Sequence, residues 1–131
     1  MTLGNSANLR QDVEALLPGI ETGSDEDLFA TAGRYLMREH SGFGPPSIAK
    51  LVRVAKDFLD SDELRNVVCS AEVRATLNDA INIENVTLIA GVIITLLHSD
   101  PSAHAAAISI AVVILRTGLK AFCANGQMEK K

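Results

Sequence analysis

Through residue 82, apolar residues return every three or four positions between polar ones. That is the spacing of helices that bury one face. Leu9, Val13, Leu16 and Leu17 form the first stripe, which predicts a helix from Asn5 to Leu17 stopped by Pro18-Gly19. Leu28, Ala32, Tyr35 and Leu36 form the second, with Ser24 as its N-cap, acids in its first turn and Gly42 as its end. The stretch SGFGPP, residues 41–46, is the clearest break in the chain. Ser47 then opens a helix through Ile48, Leu51, Val52, Ala55, Phe58 and Leu59. Ser61 opens a short one through Leu64, Val67 and Val68, and Ser70 another through Val73, Leu77 and Ile81. Recurrent capping serines predict several short helices rather than one long rod.

After Asn82 the alternation ends. Between Val86 and Leu115 the only full charge is Asp100. Val86 to Leu97 is apolar on all sides, and Asp100-Pro101 is a strong start for a helix running to about Ala124, where Asn125-Gly126 ends it. Residues 126–131 then form a frayed polar tail. VTLIAGVIITL and ISIAVVIL are β-branched enough to be buried strands. The alanine-rich lead-in at Ala103 to Ala107 and the lack of a hairpin dipeptide favour helices. The pattern therefore predicts one all-α domain over residues 1–131. It is a compact bundle of six or seven helices with a buried apolar C-terminal hairpin.

Neither apolar run suits a stable membrane span, which needs about twenty mostly apolar residues. The first ends before His98 and the second before Arg116, and no aromatic belt or basic flank accompanies them. A helix apolar all round is a core helix or meets a partner. Ser102, Ala103, Ala105, Ala106, Ala107, Ser109 and Ala111 give the second run small side chains that admit close packing, and Gly91 serves the first run in the same way.

Composition narrows the function classes. The formal net charge of −4 offers no electrostatic reason to bind nucleic acid. Lys50, Arg53 and Lys56 recur every three residues, but Asp57 and Asp60 follow, as on a solvated helix face. Cys69 and Cys123 lie in apolar surroundings, and MTLGNSANLRQD has no secretory leader pattern. The expectation is a cytoplasmic protein with both thiols reduced, in which the sequon at Asn85 carries no meaning.

Candidate chemistry is sparse. His98, Asp100 and His104 flank one turn, but without the i, i+4 spacing of paired metal ligands, and Asp100 serves better as a cap. No GxSxG, CxxC, phosphate loop or calcium loop occurs. No catalytic, cofactor-binding or metal residue is assigned. The expectation is a non-enzymatic interaction or adaptor module, self-associating through the apolar helices or binding a protein partner. Phe43, Val92, Ala107 and Ala111 are the candidate contact residues. Two alternatives remain: a membrane-active bundle that uses the hairpin at 86–115, and a small-ligand or enzymatic domain without a recognisable motif.

Overall fold

The computed structural model describes residues 2–37, 47–76, 80–97 and 101–129, apart from the side chains of 2–8, 72, 74, 76, 101–102 and 125–129. Its helices are α1 (Thr2–Glu21), α2 (Asp25–Leu36), α3 (Ile48–Leu59), α4 (Asp62–Val68), α5 (Ala71–Thr76), α6 (Ile83–Ile94), α7 (Pro101–Thr117) and α8 (Leu119–Glu129). The chain is all-α, and no strand occurs among the described residues. The β-branched runs are the helices α6 and α7.

The serine caps form as the pattern predicts. Ser24, Ser47, Ser61 and Ser70 each accept the backbone N–H three residues on, from Asp27, Lys50, Leu64 and Val73. Each satisfies a helical N–H that has no partner within its own helix. Asn82 does the same for α6, accepting from Asn85 N–H at 2.8 Å. The expected end of the second helix at Gly42 and the loop with Phe43 lie outside the described residues.

Several boundaries differ from expectation, two of them with a clear physical cause. α1 passes through Pro18 and ends at Glu21. Its last turn is held from elsewhere: Leu17 is buried, Ile20 packs on the core, and the Glu21 carbonyl accepts a hydrogen bond from Arg116. The long helix expected from Pro101 to Ala124 is two helices, because Gly118 adopts φ 98° between them. That conformation suits glycine, and its N–H still bonds to the Ile114 carbonyl at 2.9 Å. α8 then continues through Asn125-Gly126 to Glu129, where a frayed tail was expected.

α7 is the axis of the bundle. Every residue from Ala106 to Leu115 is buried, and α1, α2, α6 and α8 all pack against it. Burying each large aliphatic side chain contributes roughly 1.5–3 kcal/mol. α6 differs from its expected role. It buries Asn85, Val86, Ile89, Ala90 and Ile93 and leaves its other face partly exposed. α3 lies outside α2, and α4 bridges α3, α6 and α8.

One close helix contact depends on a glycine. A Cβ on Gly33 of α2 would lie 2.2 Å from the Leu51 carbonyl oxygen of α3. Backbone thus meets backbone, with no flexible side chain to yield. Gly91 does not have the close-approach role expected of it, since a Cβ there would meet only Leu9 Cδ2, at an ordinary 3.7 Å. Gly33→Ala is therefore expected to destabilise the fold by about 2–3 kcal/mol through overpacking. Gly91→Ala is expected to stabilise it by about 0.5–1 kcal/mol through helix propensity. Urea unfolding of the two variants checks the opposite signs.

Candidate functional site

The side chains able to do chemistry are used mainly at three seams between helices. At the first, His104 near the start of α7 meets Asp12 of α1, with Nδ1 2.5 Å from Oδ2. His104 is mostly buried and Asp12 less so. An imidazole held at Nδ1 by a carboxylate is also the arrangement that orients a general base. Here it joins two helices 92 residues apart in sequence. The other members of the His98, Asp100, His104 group lie outside the described residues.

At the far end of α7, Arg116 makes the second seam. Its Nη1 donates to Asp25 Oδ1 at 2.7 Å, and its Nη2 donates to the carbonyls of Glu21 and Gly23, each at 2.7 Å. One planar guanidinium thus closes the C-terminus of α1 and fixes the turn into α2. Since α1 meets α7 first through Asp12 and His104 and later through Glu21 and Arg116, the two helices run in the same direction.

The third seam corrects the expected thiol state. Cys69 and Cys123 form a disulfide across 54 residues, tying the end of α4 to α8, and no free cysteine remains. Closing a loop of that length restricts the unfolded chain, worth about 4 kcal/mol in the chain-entropy account. The reduced-thiol premise for a cytoplasmic location is thereby removed. Arg65, one turn before Cys69, is buried with its guanidinium 5.2 Å from the centroid of the Phe122 ring. It donates to the Asp60 carbonyl at 2.7 Å, while its Nε is buried without a partner.

An open groove of about 750 Å³ lies along α2 and α3. Phe29, Ala49 and Val52 supply its apolar part, with Glu26, Arg53, Lys56 and Asp57 among its charges. Lys56 Nζ sits 5.6 Å from the Phe29 ring centroid, a cation–π distance. The lysine and arginine of the basic repeat thus line the groove beside acids of both helices.

The candidate contact residues do not assemble into one surface. Ala107 and Ala111 are fully buried inside the chain's own core and present nothing to a partner. They face inward because α7 is covered on every side, which the small residues of its sequence do not reveal. Phe43 lies outside the described residues. Val92 stays half-buried at the edge of α6, partly packed against the core and partly open to solvent. Leu88, one turn before it, is also half-buried, and Leu96, one turn after it, is exposed at 36%. Leu88 and Val92 share a helix face at i and i+4, and Leu96 follows in the turn beyond the end of α6 at Ile94, which extends the apolar stripe past the helix.

Among the described residues, no three His, Cys, Asp or Glu side chains converge to hold a metal ion, and no helix is long and apolar enough to cross a membrane. Comparison with known proteins found no matching family, no matching characterised protein and no matching solved structure.

Two substitutions test the polar seams. Arg116→Ala is expected to cost about 1–3 kcal/mol, because it leaves the Glu21 and Gly23 carbonyls without their donor. Arg116→Lys is expected to recover only part of this, since an ammonium lacks the fork geometry. Ser109 offers the reverse case: its Oγ is fully buried in α7 without a hydrogen-bond partner. Ser109→Ala is expected to be neutral or to stabilise by about 1 kcal/mol. Urea midpoints of the three variants measure both effects.

Proposed function

We propose that the protein is a non-enzymatic helical interaction module that self-associates through the outer face of α6. The observation that carries this is the Leu88, Val92 and Leu96 stripe. No charged residue occurs from Asn85 to Leu97, yet α6 buries only one of its faces within the chain. A globular protein ordinarily places polar residues on such an outer face. A row of aliphatic side chains there favours burial against a second surface. The contact moves from α7, where small residues first suggested it, to α6, with Val92 at its centre. The acidic net charge limits nonspecific association and leaves the apolar stripe as the adhesive element.

Light scattering coupled to size exclusion, over a range of protein concentrations, tests this. The expected result is a concentration-dependent dimer or larger species. Val92→Asp or Leu96→Asp is expected to convert it to monomer with unchanged helical circular dichroism. A charge on a half-exposed position weakens a contact through desolvation, by about ten-fold or more in Kd. A strict monomer at every concentration sinks the self-association reading, as does an unchanged oligomer in both variants.

A further inference from the structure

We propose that the Cys69–Cys123 disulfide is a redox-sensitive latch for α8, opened by a dithiol reductant while the α7-centred core stays folded. The inference rests on the α4–α8 seam and is independent of the α6 stripe.

Apart from the sulfur bridge, α8 is held chiefly by Leu119 and Phe122 in the core and by the Arg65 guanidinium over the Phe122 ring. It spans eleven residues, from Leu119 to Glu129. That is below the roughly 12–15 residues at which an isolated helix becomes marginally stable in water. Its buried side chains among those described are Leu119, Phe122 and Cys123. Its junction to α7 is the single residue Gly118, at φ 98°. A glycine there permits large rotations at little steric cost. On the opposing surface of α4, the Arg65 guanidinium stacks on Phe122, but its buried Nε has no hydrogen-bond partner, which offsets part of that contact. The core has no such dependence. α7 is enclosed by α1, α2 and α6 as well as α8, and its ends are tied to α1 by His104 and Arg116.

The two cysteines are not equally exposed. Cys123 is 2% exposed, whereas Cys69, at the end of α4, is only half-buried. A reductant thiolate therefore attacks Cys69 Sγ. The Sγ–Sγ bond breaks, a mixed disulfide forms at Cys69, and Cys123 leaves as a thiolate that takes up a proton. The second thiol of the reductant then attacks its own sulfur in the mixed disulfide and releases Cys69, which is protonated in turn. The dithiol ends as a disulfide, and the protein's bridge has gained two electrons and two protons. α8 is then free to swing about Gly118 and uncover the apolar surface beneath Leu119 and Phe122.

The test uses the whole chain with dithiothreitol as the probe. Before reduction, both cysteines should resist alkylation by iodoacetamide, and afterwards both should react. Hydrogen exchange followed by mass spectrometry should show the peptide containing Phe122 and Cys123 exchanging at least about ten-fold faster after reduction. In the reduced protein the peptide covering Ala107 to Leu115 should remain protected, exchanging at least about ten-fold more slowly than the α8 peptide. Trypsin should cleave after Lys120 only in the reduced protein. Removal of the reductant and reoxidation should restore protection. Alkylation of both cysteines before reduction overturns the proposal, because there is then no latch. Unchanged exchange in α8 also overturns it. Loss of protection in α7 together with α8 overturns it too, because the bridge is then a staple of the whole fold.

Discussion

An aliphatic helix with no polar stripe has no side that it can turn to water, and α7 is such a helix. From Ala106 to Leu115 every position is buried, so the rest of the chain must supply cover in all directions. Several features follow from this constraint. α1 lies alongside it in the same direction. α2 packs against it and carries α3 on its outer side. α6 gives it one face, and α8 packs against it beyond the Gly118 turn. Polar contacts are pushed to its two ends, where His104 and Arg116 reach neighbouring elements without entering the aliphatic centre.

The cover is assembled with little material, and that explains the tolerances at the joints. α2 and α3 approach until backbone meets backbone, which only Gly33 permits. Arg116 serves three acceptors with one side chain and thereby closes one helix while setting the start of the next. The orphaned polar atoms of Arg65, Thr87 and Ser109 show where packing has been satisfied ahead of hydrogen bonding. In a chain of 131 residues the disulfide adds a constraint that the small α4–α8 contact lacks.

The same economy shapes the surface. Once α7 is enclosed, α6 has buried one face against α7 and its neighbours and leaves Leu88, Val92 and Leu96 partly open, although no charged residue follows Glu84 along it. The protein is thus sealed at its axis and left adhesive at its edge. Association through Leu88, Val92 and Leu96 leaves α7 undisturbed, whereas a contact through Ala107 or Ala111 would require the bundle to open. The groove between α2 and α3 is of another kind, with acids and bases interleaved around Phe29 and Val52. Its charged walls suit water better than a second aliphatic face.

Local chemistry was legible from the chain itself. Ser24, Ser47, Ser61 and Ser70 announce helix starts because a cap acts over three residues and needs no distant partner. The all-helical class and the centrality of the apolar C-terminal third follow from periodicity and its loss. What spacing alone cannot carry is the identity of the neighbour. The Asp12–His104 and Asp25–Arg116 pairs join residues more than 90 positions apart, and the disulfide joins residues 54 apart. Pro18 and Gly19 read as a stop, yet α1 continues through them because Leu17, Ile20 and Arg116 secure its last turn. Gly33 looks like any helical glycine until Leu51 is placed against it. Hydropathy marks α6 and α7 as apolar on all sides. Only the packing decides that α7 spends all of its faces inside the chain and α6 only one, because burial is a property of the neighbours that the fold brings together.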